Sequence, residues 1–389
     1  MLRDNSNIHS FRFRWSYFPI NNGVRRSFAR WIDAVVERNV QEVTLEIRHS
    51  YSKMTYEIPP GLVNCKSLKK LTLRVEDLAE FILPKSMSLP QLKFMCLDGF
   101  LVSNEESAKN LFSCCPLLET LNIVDCYIQT DNRGNFTVES LSLKHFAYTH
   151  RHNNYRRHHL RPTIIKLSAP NLTSITCESY LTQEYDLQNC SDLSDINLNI
   201  LYNKEFEKRH LPKEEKEEYA KRILKLLVSV KKVKRLDLSS GFLEVLWRVT
   251  DLYNCQLPIL CNLQSLRLET RFTRGSMHAI AYLLKISPNI STFIVKSNSA
   301  DVGDDWEVGF SLSGMVSNLN VVRIENVHGC DAELKILSYL LKNAKGLKKV
   351  VLYFRPSVGS SDRVRQVKLF KKKLIEVPTA SSSIGMVFY

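Results

Sequence analysis

The chain has 389 residues, 44% of them hydrophobic, enough to bury a large core, and length alone would suggest two or three domains. It holds no apolar run of about 18 residues, and Met1 to Ser10 carries no apolar signal segment, which sets aside a membrane span and places the chain inside the cell, in nucleus or cytoplasm. The net charge of +14 points to acidic partners, but the basic residues are scattered, and a soluble basic surface accounts for most of them.

Residues 1–39 open with Phe11-Arg-Phe-Arg-Trp15, whose alternation reads as a strand. A helix follows over Ser27 to Asn39, with Phe28, Trp31, Ile32, Val35 and Val36 on one face, and Asn39 stops it just before the first copy. This segment is read as an N-terminal strand-helix cap.

From Val40 onward one spacing, L-x-x-L-x-L, returns along the chain. Its first apolar position falls at Val40, Leu68, Leu92, Leu118, Val138, Leu172, Leu193, Val233, Leu263, Ile290, Leu319 and Leu347, at intervals of 20 to 40 residues. The period lies in or near the range of leucine-rich repeats, units too small to bury an apolar face alone. The last three positions of a copy alternate, as in Leu71-Thr72-Leu73, so two apolar side chains leave one side of a strand and the residues between them leave the other. The fold class expected is therefore α/β: a leucine-rich-repeat solenoid with a curved parallel sheet and convex helices and loops, running over residues 40–304.

Between copies the returns read as helices. Ser103-Asn-Glu-Glu106 resembles a capping box and starts one that ends at Cys114-Cys115-Pro116; others run from Ser276 to Leu284 and from Asp331 to Leu341. Two intervals are longer. The first holds Thr149 to Arg161, crowded with His150, His152, His158, His159, Arg151, Arg156, Arg157 and Arg161. It reads as a protruding solvated loop, with phosphate contacts a lesser reading and zinc a poor one, since no carboxylate or cysteine joins the histidines. The second runs through Lys204 to Tyr219 into an amphipathic helix lined by Tyr219, Ile223, Leu226, Leu227 and Val230, with Glu217–Lys221 and Glu218–Arg222 as i,i+4 pairs. From about Asp305 the pattern changes. Trp306 to Leu312 reads as a strand, followed by two repeat strands, a helix over Asp362 to Leu374 and a terminal strand over Ile384 to Tyr389, so residues 305–389 form an α/β cap on the last apolar layer.

Ten cysteines are spread along the chain, and Cys65, Cys115 and Cys190 each stand three residues before the first apolar position of a copy. Repeated placement reads as small buried hydrophobes rather than a disulfide framework or metal site. No cofactor is indicated. Nor is there a G-x-x-x-x-G-K-[ST], G-x-S-x-G or H-E-x-x-H sequence, so a binding surface is expected rather than an enzyme.

By strand alternation that surface presents Lys70, Arg74, Ser142, Lys144, Arg235, Arg267, Arg323, Lys349 and Tyr353, together with Glu42, Glu46, Asp237, Glu269 and Glu325. The mixed signs suit a protein partner better than a polyanion. The rival reading is a basic scaffold for nucleic acid or an anionic small molecule, with binding that falls steeply with salt.

Several segments resemble plant F-box/leucine-rich-repeat proteins that end in an FBD domain. They are Arg30 to Val43, Cys65-Lys-Ser-Leu-Lys-Lys-Leu-Thr-Leu73, Leu89 to Leu97, Cys115-Pro-Leu-Leu-Glu-Thr-Leu121 and, for the FBD end, Asn320 to Ile324, Leu340 to Val350 and Ser381 to Phe388. The resemblance implies the substrate receptor of an SCF-type ubiquitin ligase, in which an F-box docks on a Skp-type adaptor and cullin while the repeats hold an unknown target protein. That family's F-box precedes the first repeat and has no counterpart before Phe11, so adaptor binding is expected only when an F-box is supplied upstream. The FBD end departs from the family at Val377-Pro-Thr379, where a more basic run is usual, and at Ile384, where cysteine is common.

Overall fold

The computed structural model describes residues 6–16, 22–48, 55–84, 86–102, 104–151, 164–180, 184–187, 189–201, 213–252, 258–298, 316–356, 361–381 and 383–389. They fall into two compact units, Met1–Leu193 and Ser194–Tyr389.

In the first unit, β1 (Ser10–Ser16) is followed by α1 (Asn22–Val36), β2 (Glu42–Arg48), β3 (Thr55–Glu57), α2 (Pro60–Val63), β4 (Lys70–Ile82), β5 (Phe94–Val102), α3 (Glu105–Ser113) and β6 (Thr120–Val124). Then come β7 (Tyr127–Ile128), β8 (Phe136–Glu139), β9 (His145–Thr149), β10 (Ile164–Ser168), β11 (Ser174–Tyr180) and β12 (Glu184–Asp186). The main sheet runs β1-β2-β4-β5-β6-β9-β11, all parallel. A smaller parallel sheet, β12-β10-β8, forms the return layer.

In that smaller sheet, strands rather than helices form the return. Phe136-Thr-Val-Glu139 and Ile164-Ile-Lys-Leu-Ser168 alternate with period two and are rich in β-branched residues, so they pair as strands. One correction concerns the copy placed at Val138. Val138 belongs to β8, and the first apolar position of that rung is Leu143, fully buried, whereas Leu141 is 77% exposed. With Leu143 in place, the neighbouring intervals become 25 and 29 residues.

The rungs share one hydrogen-bond device. The first strand N–H and the one before it both donate to a single carbonyl of the preceding rung: Lys69 and Lys70 to Gln41, Lys93 and Phe94 to Lys69, Glu119 and Thr120 to Lys93, Lys144 and His145 to Glu119. The backbone donors at the strand entrance are thereby satisfied, and the register of every rung is fixed by its neighbour.

The second unit contains β13 (Asp195–Leu201), α4 (Lys213–Ser229), β14 (Arg235–Leu238), α5 (Ser240–Leu252), β15 (Ser265–Thr270), α6 (Arg274–Ile286), β16 (Thr292–Ser297) and β17 (Val321–Val327). It ends with α7 (Asp331–Asn343), β18 (Lys349–Phe354), α8 (Ser361–Ile375) and β19 (Gly385–Phe388). Its parallel sheet runs in chain order from β13 to β19. Helical returns dominate here. α4 buries Ile223, Leu226 and Leu227, Val230 just beyond it is buried too, and Arg222 pairs with Glu218 at 3.2 Å, as the sequence implies. The strand read at Trp306 to Leu312 lies outside the described residues.

Three helix starts show how local chemistry sets the returns. The side chain of Asn104 caps α3 by accepting Ser107 N–H at 2.8 Å, and Thr273 accepts Ser276 N–H at α6. At α7 the fully buried Glu333 carboxylate accepts the N–H groups of His328, Gly329 and Cys330 at 2.7–3.1 Å. Three charge-assisted bonds from the backbone offset its desolvation. Past β18, α8 buries Phe370 and Leu374, and Lys371 lies over Phe354 and Phe388.

Candidate interaction surface

Alternation along each strand sends the L-x-x-L-x-L residues into the core and the residues between them onto an open face. In the first unit, the register aligns these into three rows. The first is Ser10, Glu42, Lys70, Phe94, Thr120, His145 and Ser174; the last is Arg14, Glu46, Arg74, Asp98, Val124, Thr149 and Glu178. The middle row reads Arg12, Thr44, Thr72, Cys96, Asn122, Ala147 and Thr176. Beyond Arg12 it is short and uncharged, and the longer chains on either side leave Thr72 only 7% and Cys96 only 6% exposed.

The charges of the last row pair across strands. Arg14 meets Glu46 at 2.6 Å, and Arg74 lies 3.9 Å from Glu46 and 3.7 Å from Asp98. At the far side Arg151 grips Glu178 with two bonds of 3.0 Å. The hydrogen bond from Arg14, opposed by partial burial and helped by the charges of Arg14 and Arg74, holds the Glu46 carboxyl below its usual range.

The second unit arranges its face differently. Its middle row is Asn197, Asp237, Arg267, Ile294, Arg323, Val351 and Val387. Arg267 reaches Glu325 at 2.6 Å, Lys296 pairs with Glu269 at 3.1 Å, and Arg235 pairs with Asp195. Burial pushes the Asp237 carboxyl up, against the attraction of Arg267. Arg323 lies over the Tyr353 ring, 5.8 Å from its centroid, and Tyr353 stacks on Tyr389 at 4.8 Å.

Of the residues expected on this surface, Lys70 and Arg74 lie on β4, Arg235 on β14, Arg267 on β15, Arg323 on β17, and Lys349 and Tyr353 on β18. Lys144 is displaced. It precedes β9, in the position that Lys69, Lys93 and Glu119 hold in other rungs, and pairs with Glu119 at 3.0 Å as Lys93 also does. Ser142 sits in the preceding turn, where its hydroxyl donates to Leu118 O. The structure brings Arg235, Arg267, Arg323, Lys349 and Tyr353 together on one sheet and Lys70 with Arg74 on the other unit's. Reading by copy missed Arg12 and Arg14, because β1 precedes the first repeat, although the alternation of Phe11 to Trp15 carried the signal. It also missed Phe94, under Lys70 at 5.3 Å, and Asp98.

His150, from the His/Arg-rich stretch, is buried beside Tyr127 and Tyr148, and Arg151 belongs to the ion pair above; residues 152–163 lie outside the described ones. Among the described residues no group of histidines, cysteines and carboxylates could hold a metal ion, and no helix is long and apolar enough to cross a membrane. Cys65 and Cys115 are buried at equivalent places, while Cys190 is half-buried.

Comparison with known proteins bears on this face directly. Residues 28–199 match the family description "FBD-associated F-box protein At5g56370, LRR repeats", and residues 313–352 match FBD. The putative F-box/FBD/LRR-repeat protein At1g66300 of Arabidopsis thaliana is 30% identical over 92% of this chain and 73% of its own length. The chain belongs to the plant F-box/FBD/LRR-repeat family. F-box/FBD/LRR-repeat protein At1g78750 and F-box/LRR-repeat protein 13, both of Arabidopsis thaliana, are 27% and 28% identical, over 98% and 92% of this chain and 79% and 75% of their own lengths. F-box/FBD/LRR-repeat proteins are of the protein-interaction type. The FBD match spans β17, α7 and most of β18, so Arg323 and Lys349 fall within it and Tyr353 lies one residue beyond.

Proposed function

We propose that the chain is the target-recognition part of an F-box-type receptor of an SCF ubiquitin ligase, active inside the cell in nucleus or cytoplasm, and that it holds a target protein against its open strand faces. The observation that carries this reading is the pairing of charges on those faces. Cations at Arg14, Arg74, Arg235, Arg267 and Lys296 each lie beside a carboxylate. A face of alternating signs is matched by a folded protein surface of complementary pattern, and like-charged neighbours reject wrong partners. A polyanion would meet a carboxylate at each of those places, so the nucleic-acid reading loses its main support.

The proposal is tested by capture on a Skp-type adaptor. A version carrying an F-box upstream of residue 1 is expected to be retained together with cullin, and the 389-residue chain by itself is not. Failure of the F-box version would overturn the receptor reading. Retention on duplex or single-stranded nucleic acid at two salt concentrations separates the rival, because a basic scaffold would bind and then lose affinity steeply with salt.

A further inference from the structure

The first unit holds a partly open cavity of about 400 Å³ on the core side of its sheet. Leu45, Ile47, Leu73 and Val75 form the sheet side, and six aromatic residues also line it: Phe13, Trp15, Phe28, Tyr56, Phe81 and Phe100. It lies within the volume range of small-molecule sites.

Trp15 brings one polar group to this lining. Its indole N–H is buried and has no hydrogen-bond partner among the described residues. A buried donor without a partner is costly, and in a ligand site such a group fixes the orientation of the guest.

The charges around the space narrow the class of guest. Arg74 contributes to the wall, but its guanidinium faces Glu46 and Asp98 on the open face. Asp33 and Glu57, both exposed, are the remaining charged groups among the described residues of the lining. Among the described residues an anion would meet two carboxylates and no facing cation, and an ammonium group offers nothing for an indole N–H to donate to. Stacked rings, with Phe81 on Phe100 at 3.7 Å and Tyr56 on Phe81 at 5.5 Å, offer flat apolar surface to another ring. We propose that this cavity binds a neutral, largely apolar, ring-containing small molecule that presents one carbonyl or ether oxygen to the Trp15 N–H. The inference does not depend on the ligase reading.

The test uses the whole 389-residue chain and the neutral probe 6-propionyl-2-dimethylaminonaphthalene, which carries flat rings and one carbonyl. Saturable one-to-one binding with blue-shifted emission is expected. Ala29→Phe, which fills the cavity from α1, should abolish it with the unfolding midpoint preserved. Trp15→Phe should weaken the carbonyl probe about three- to tenfold, the worth of one hydrogen bond, and leave 2-dimethylaminonaphthalene, which lacks the carbonyl, unchanged. The proposal is overturned if the wild-type chain shows no saturable binding, if a folded Ala29→Phe binds as well as wild type, or if Trp15→Phe weakens both probes alike. Should Ala29→Phe fail to fold, the two-probe comparison on Trp15→Phe decides.

Discussion

The open face of the N-terminal unit keeps most of its charge at the margins and leaves Thr44, Thr72, Cys96, Asn122 and Ala147 as a short, neutral middle row, whereas the C-terminal unit places Asp237, Arg267 and Arg323 in that same row. Both faces come from one backbone device, the paired N–H donation that sets each rung on the last. The difference therefore lies in which residue type occupies a single position per rung. A small middle row between charged margins receives a side chain or an extended segment into a trough; a charged middle row demands a matching charge on whatever contacts it, or leaves it unpaired at high cost. Exposed pairs such as Arg14–Glu46 contribute only about 0.2–1 kcal/mol each, against about 1.5–3 kcal/mol for burying one leucine. The core thus holds the fold, and the ladders set the pattern of charge on its open faces.

The comparison rests first on counting rungs correctly, and the largest expected effect tests that count. Leu143→Ala should destabilise the N-terminal unit by about 2–5 kcal/mol, the cost of emptying a fully buried leucine site, while Leu141→Ala should change stability by less than about 0.5 kcal/mol. Urea unfolding of both variants checks it. If Leu141→Ala were the damaging change, the rows around β9 would shift and His145 would leave the first row.

The same pair of leucines marks how far the sequence is legible. All the other first positions, from Val40 to Leu347, are buried as the spacing implies. Val138-Glu-Ser-Leu141-Ser-Leu143 satisfies the spacing too, because a strand of the return layer runs into the next rung, and the true copy, Leu143-Lys-His-Phe146-Ala-Tyr148, carries aromatic residues and alanine where leucine was sought. Strand alternation was enough to put Arg74, Arg267 and Arg323 on the open face. Their partners were hidden, since Asp98 and Glu325 lie 24 and 58 residues away and meet them only once strands are aligned. The cavity was hidden for a stronger reason: it depends on how side chains from β1, α1, β2, β3, β4 and β5 fit in space, which no periodicity records.

Acid should separate the two faces, with an effect smaller than loss of the leucine. In the N-terminal unit the Arg14 hydrogen bond depresses the folded pKa of Glu46, so its contribution is present above the unfolded value near 4.5 and lost as pH falls through the lower folded value. In the C-terminal unit burial raises the folded pKa of Asp237 despite Arg267 and Arg235, with Asp195 and Glu325 adding to the rise. Its contribution has the opposite sign: it is present below the unfolded value near 3.8 and lost as pH rises through the raised folded value. Amide exchange by mass spectrometry across this window should show β1, β2 and β4 losing protection on acidification relative to a Glu46→Gln variant. The strand Arg235–Leu238 should lose protection as pH rises, relative to Asp237→Asn. Parallel pH responses of the two variants would break the contrast.

Salt gives the finest cut. Arg14–Glu46 is an ion pair with Arg14 half-exposed, and a double-mutant cycle on it should give about 0.2–1 kcal/mol at low ionic strength and clearly less at 0.5 M salt. Arg323 has its main described partner in the Tyr353 ring, where the attraction comes from a ring quadrupole at short range and from covering the guanidinium with apolar surface. The matching cycle, Arg323→Ala with Tyr353→Ala, should give about 0.5–1 kcal/mol and keep most of it in the same salt. If the Arg323 coupling falls with salt as steeply as the Arg14 coupling, then Arg323 is held by carboxylates rather than by the ring, and the middle row of the C-terminal unit is an ion-pair ladder of the same kind as the margins of the N-terminal one.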